Sequence, residues 1–324
     1  MIKTWMTPWL LMAVPFLGAT LSLLLRTSLQ RMKTSALLTT VASMLVVIGT
    51  PWALGDTLAG VPFLCLLPLT AFLSLLGQPL HRDNTSAWTT TLVLLGLGLG
   101  ILTAQAPAHD VMLLILPGLL CILLYRYQSG ATPETWRGLS AYGLSMVSAA
   151  LALVLPTPAS TVALLVTCAT LLPLLPVHSG FIATLTGLPG NLPAFLVFLL
   201  PTVGFHTLLM LLPNLTGTTL HTVAILALAG AVYGSLRALI QARPLPRLSY
   251  AALAFFGLLW WYIADTGTAP MQATVYLSAA GLAATTEILS FEEEEASRAI
   301  RESLQLSHRE SAVFNILRLR YVDG

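Results

Sequence analysis

The sequence predicts an all-α polytopic membrane protein with about eleven transmembrane helices, a broken seventh span and a C-terminal amphipathic cytoplasmic helix. Three observations predict it. Of 324 residues, 56% are hydrophobic and 9% charged, with mean hydropathy +0.84; soluble domains carry about 25% charged residues. The apolar residues fall into long runs, and a spanning helix needs roughly 20 mostly apolar residues. Of the 15 Lys and Arg residues, 14 fall in alternate connections between those runs or in the tail. A water-soluble globule and wholesale disorder are both excluded.

In order, the spans are read as Trp5–Leu25, Ala36–Ala53, Leu58–Leu76, Trp88–Ala104, Val111–Tyr125 and Leu139–Leu155. They continue as Thr161–Pro176, Leu192–Leu212, Leu220–Ile240, Leu248–Ala264 and Met271–Leu289. The first follows Lys3 as a signal peptide would, but the apolar run continues to Arg26 and more spans follow, so it is read as a span.

Orientation comes from charge. Arg26, Arg31 and Lys33 follow span 1, Arg82 follows span 3, and Arg126 and Arg137 follow span 5. Arg237, Arg243 and Arg247 follow span 9, and every remaining Arg lies in the tail. The intervening connections carry Asp56, His109, Asp110 and Asp265 instead. The positive-inside rule then places the N-terminus outside and the C-terminus in the cytoplasm of a bacterial inner membrane. Cys65, Cys121 and Cys168 lie far apart inside apolar runs, which supports neither a disulfide framework nor a metal site.

The tail Phe291–Gly324 is the longest polar segment. Glu292–Glu295 precede Arg298 and Arg301 at helical spacing, and Ile300, Leu304, Val313, Phe314 and Leu317 form a partial apolar stripe. A helix lying on the membrane or docking a soluble subunit is expected; the alternative is a solvated helix that ends the protein.

The stretch TLLPLLPVHSGFIATLTGLPGNLPAFLVFLLPTVGFHTLLMLL, from Thr170 to Leu212, carries the most specific pattern. It resembles the antiporter-like membrane subunits of respiratory complex I and the related Mrp antiporters and membrane-bound hydrogenases. Pro173, Pro176 and His178 match the family's K-x-P-x-x-P-x-H segment, Pro189 falls at the family interval after it, and Gly204 matches the glycine of the next span's K-L-G. Gly234, Gln241, Tyr250 and Gly257 also keep family spacing, as does Asp110 at the head of span 5. The resemblance covers about residues 50–290 and implies other membrane subunits as partners; with the charge pattern, the chain reads as a transmembrane antiporter-like domain over 1–290 and a cytoplasmic tail over 291–324, where the family adds further spans. It implies a place in an NADH:quinone oxidoreductase-like or related ion-translocating complex, not a stand-alone enzyme. Independently of it, Pro173, Pro176, Pro189 and Pro201 remove backbone donors and are expected to break helices. Carbonyls freed there need a neighbour, water or an ion.

The family moves protons along intramembrane lysines, glutamates and histidines, which are costly in lipid and mark ion paths. The positions that match them here are Leu119, Leu171, Thr202, Phe255 and Ala280. None of these side chains exchanges a proton near neutral pH. The spans read as lined by Leu, Ala, Val and Thr, without the polar walls a proton-carrying water chain needs. The shortened, degenerate pattern thus implies the fold and the assembly without the transport. It points to a non-pumping or weakly active scaffold subunit. The alternative is a proton or cation transporter with a rearranged path through His178, His206 and Glu287. Glu287 reads as a new proton site, a salt-bridge partner across a subunit interface, or a snorkelling end residue. His178 reads as a proton entry group or a hydrogen-bonded loop residue. His206 is expected to bond the carbonyl that Pro201 leaves free.

Nothing else carries chemistry. LGLGLG at Leu95–Gly100 is a small-residue stripe for helix contact rather than a nucleotide loop. No P-loop, HExxH or nucleophile elbow occurs. No cofactor, metal or nucleic acid is expected.

Overall fold

In a computed structural model of the chain, the described residues are 2–54, 61–78, 80, 84–127, 133–267 and 271–291. All regular structure among them is helical. The helices are α1 (Ile2–Leu24), α2 (Leu29–Leu54), α3 (Val61–Leu76), α4 (Thr85–Thr103), α5 (Ala108–Tyr127) and α6 (Pro133–Val154). Then come α7 (Ala159–Leu171), α8 (Ser179–Gly187), α9 (Leu192–Leu211), α10 (Gly217–Ile240), α11 (Pro244–Thr266) and α12 (271–291). Seven of them are long and apolar enough to cross a membrane, and the shorter apolar helices Pro8–Leu24, Phe63–Leu76 and Ala159–Leu171 accompany them. The chain is a multi-pass membrane protein. The tail expected over 291–324 lies outside the described residues, apart from Phe291 at the end of α12.

Two helices form the centre. α9 packs against α3, α4, α7 and α8, and α4 against α1, α3, α5 and α9. α9 buries Phe195, Phe198 and Phe205 completely or nearly so. The glycine stripe of α4 has a packing use: a Cβ at Gly98 would lie 2.5 Å from Leu199 of α9, and one at Gly100 2.5 Å from the Met12 sulfur of α1. The glycines let these neighbouring side chains lie directly against the α4 backbone. The periphery is apolar outward. Leu38, Leu45, Ile122, Val154 and Leu239 are exposed, as a lipid-facing surface requires.

Two expectations are corrected. Several loop charges sit on helices: α2 begins before Arg31 and Lys33, α6 before Arg137, and α11 before Arg247, while Arg237 lies in the last turn of α10. Hydropathy marks the apolar middle of a helix and misses its polar ends. Lys33 shows why the helix extends: its ammonium donates to the carbonyls of Leu76, at 3.2 Å, and Gln78, where α3 ends. Pro201 does not break its helix either. α9 runs through it without interruption, because one missing N–H is tolerated where neighbouring helices hold the segment on every side.

Candidate functional site

The interruption after α7 begins with α6. The buried face of α6 carries small and hydroxylated side chains, among them Gly138, Ala141, Tyr142, Ser145 and Ser148. α7 and α8 both pack on it. α7 stops at Leu171, Leu172 is extended, and α8 starts at Ser179, with Pro173 and Pro176 in the interval. Leu172 N–H still reaches the Cys168 carbonyl at 2.9 Å, and Leu174 N–H the Ala169 carbonyl at 3.0 Å. The Leu172 carbonyl accepts from Trp260 Nε1 of α11 at 3.0 Å. A side chain thus replaces the donor that the interrupted helix lacks. On the other flank the Cys168 thiol donates to the Gly204 carbonyl at 2.9 Å. A Cβ on Gly204 would lie 2.5 Å from the Leu172 nitrogen, so α9 approaches this stretch backbone to backbone.

The seam is more polar than the sequence reading holds. Thr170 donates to the Ser145 hydroxyl at 2.8 Å, and Thr167 to the Ser145 carbonyl at 3.2 Å. Tyr142 and Thr184 share a hydrogen bond of 2.7 Å. The expectation of walls without polar groups is therefore corrected. Ser145, Thr167, Thr170 and Thr184 are spread along the sequence, and the packing of α6, α7 and α8 brings them together with Tyr142. Hydroxyls of this kind orient a water or each other but do not change charge near neutral pH.

The positions matched to the family's titratable residues divide into three places. Leu171 and Thr202 are both 0% exposed on the α7–α9 seam, and the Thr202 hydroxyl has no partner among the described residues. Phe255 is 51% exposed, and with Ala280 and Glu287 it lines a cavity of about 460 Å³ between α11 and α12. Leu119 is half-buried on α5, where it borders an apolar cavity of about 470 Å³ with Met12, Phe16, Leu97 and Met112.

The two histidines named from sequence stand apart. His178 precedes α8 and packs edge-on to Tyr233 of α10, ring centroids 5.4 Å apart. His206 of α9 lies 6.0 Å, ring to ring, from His109 of α5. Among the described residues this ring contact, rather than a bond to a carbonyl freed by Pro201, is its polar neighbourhood. Glu287 is exposed on α12, away from both. Sequence reasoning missed His109 as a site residue. It is 2% exposed; Nδ1 lies 3.0 Å from the Asp110 carboxylate, and Nε2 lies 3.5 Å from the Thr207 hydroxyl. The adjacent His-Asp pair at the head of a span was a visible signal, but its proximity to His206 and Thr207 on another helix was not. Among the described residues no group of three or more His, Cys, Asp or Glu side chains is arranged to hold a metal ion.

Against known structures, the chain is similar to a chain of respiratory complex I from Thermus thermophilus with bound NADH. The TM-score is 0.68 at 19% identity, over 86% of this chain and 69% of that one. A chain of the same organism's complex I with bound aureothin gives a TM-score of 0.64 at 19% identity, over 85% and 69%. At that identity the likeness shows a shared fold. Residues 279–324 match the model of the UTRA domain. That is a small terminal part of the chain, and its first residues, 279–291, form the second half of α12. No curated protein matches the chain.

Proposed function

We propose that the chain is a membrane subunit of a complex-I-like assembly and serves there as a scaffold, without conducting protons through the family's central route. One observation carries the reading. Leu171 and Thr202 occupy the two positions where the resemblance calls for lysines, and both are completely buried on a packed seam. A proton crossing such a gap without a titratable stop meets a desolvation cost of several kcal/mol, roughly, even after relaxation. At about 1.4 kcal/mol per tenfold in rate, transfer slows by orders of magnitude. The shared fold with complex I chains supports the assembly. The hydroxyl seam supports shape over transport, because Thr167 and Thr170 bond to Ser145, and Tyr142 to Thr184, across helices.

The rearranged path would need His178, His206 and Glu287 to cooperate, yet each has different neighbours: Tyr233, His109 and the α11–α12 groove. The test is a His178→Gln, His206→Gln, Glu287→Gln variant of the assembled complex. Ion pumping should stay within about twofold of the parent. If Glu287→Gln alone abolishes pumping while the complex stays intact, the scaffold reading is wrong. The reading also assigns the arginine-bearing end, with the tail, to the cytoplasm. A cysteine at Ala242 should then label only from that side and one at Gly217 only from the other, and deletion of 291–324 should impair assembly.

A further inference from the structure

Five helix ends converge at the arginine-bearing end of the bundle: the C-termini of α5, α8 and α10 and the N-termini of α6 and α11. They enclose a cavity of about 850 Å³ whose polar lining includes Tyr127, Glu134, Arg237, Gln241, Arg243 and Tyr250. Arg237 is held in place. Its Nε donates to the Tyr233 hydroxyl at 3.3 Å, and its guanidinium carbon lies 5.8 Å and 5.4 Å from the ring centroids of Tyr233 and Tyr250. That arrangement fixes the guanidinium plane while leaving Nη donors for another group. Among the described residues neither Arg237 nor Arg243 is in an ion pair, although Glu134 lines the same cavity. Two guanidiniums and one carboxylate leave a single net positive charge. Ile240 of α10, which also lines the cavity, is 69% exposed, and Leu236 in the turn before it is 60% exposed.

We propose that this cavity binds the phosphodiester headgroup of an anionic phospholipid. The phosphate sits on Arg237 and Arg243, where planar forks match phosphate oxygens. The acyl chains leave the cavity over Ile240 and continue along the exposed aliphatic face of α10 at Leu236. The single net charge matches one phosphodiester, and the exposed aliphatic strip distinguishes a lipid from a free phosphate. The inference holds whether or not the chain carries protons.

The experiment uses the full-length protein, purified in detergent and stripped of lipid. Native mass spectrometry reads the fraction carrying added phosphatidylglycerol, phosphatidylcholine or inorganic phosphate. Phosphatidylglycerol is expected to bind, and Arg243→Gln and Arg237→Gln are each expected to weaken it by about tenfold. Arg247→Gln, an exposed arginine one helical turn away that does not line the cavity, should leave it unchanged. Arg237 also braces two tyrosines, so Arg243→Gln is the deciding variant: its side chain makes no cap hydrogen bond at the start of α11. Equal binding by the Arg243→Gln and parent proteins, or by phosphatidylcholine and phosphatidylglycerol, would overturn the proposal. An equal response to inorganic phosphate would overturn the lipid assignment.

Discussion

The α7–α9 seam and the α11–α12 rim both hold positions where the resemblance leads one to expect titratable residues, and their surroundings differ. At the seam, Leu171 and Thr202 are sealed, Gly204 touches the backbone at Leu172, the Leu172 carbonyl accepts from Trp260, and the Gly204 carbonyl accepts from Cys168. At the rim, Phe255 and Ala280 border an open groove beside an exposed Glu287. The interior has little tolerance because every atom there has neighbours on all sides. The rim lies on the outer face of the bundle, where Phe255 and Glu287 are exposed. Positions drawn from one sequence pattern thus sit in two settings, a tight core and an outward face.

The largest expected effect tests the seam. In Gly204→Val the new Cβ would meet the Leu172 nitrogen at 2.5 Å and its Cβ at 2.7 Å. Neither is the free end of a flexible side chain, so α9 must move away from the interrupted stretch. The variant is expected to fail to accumulate in the membrane, read by fluorescence-detected size exclusion of a tagged protein. Parent-like yield with an unchanged melting temperature would show that the two helices are not held together here.

The next effect separates polar satisfaction from packing. Trp260→Phe keeps most of the ring and removes the one donor that reaches the Leu172 carbonyl. Leaving a buried acceptor unpaired costs about 1–3 kcal/mol. A lower melting temperature in detergent is expected, without loss of helix content. An unchanged melting temperature would mean that the Leu172 carbonyl finds another donor.

The sequence shows these regions to unequal degrees. Helix content, apolar belts and the stop after Leu171 follow from composition and from Pro173 and Pro176, because hydropathy and a missing N–H act locally. The glycine stripe of α4 is legible for the same reason. The partners are not. Trp260 is far along the chain from Leu172, and Ser145 and Thr170 lie on different helices; no periodicity links residues that meet only after the bundle packs. Pro201 misleads for a related reason, since proline states what a helix loses and not what its neighbours supply. His109 was visible as half of a His-Asp pair, while its place beside His206 depends on how α5 meets α9.

The smallest expected effect lies at the rim, and it uses two adjacent residues. Phe256 is 1% exposed and meets Phe181 edge-on, with centroids 6.0 Å apart. Phe255, its neighbour, is 51% exposed, and its nearest ring is Tyr276 at 6.3 Å. In water, truncating a buried Phe to Ala costs about 3–5 kcal/mol, part of it from transfer and part from the cavity. In a bilayer the transfer part largely drops out, since lipid is as apolar as the core, and the packing part is what remains. For Phe255→Ala there is little packing to lose, because an acyl chain occupies the vacated volume. A destabilisation below about 0.5 kcal/mol is therefore expected, the range of surface substitutions away from special features. Steric-trap or thermal unfolding in lipid nanodiscs would measure it. A loss above about 2 kcal/mol, comparable with burial in a protein core, would show that the α11–α12 groove is part of the packed fold and would remove the distinction between rim and seam.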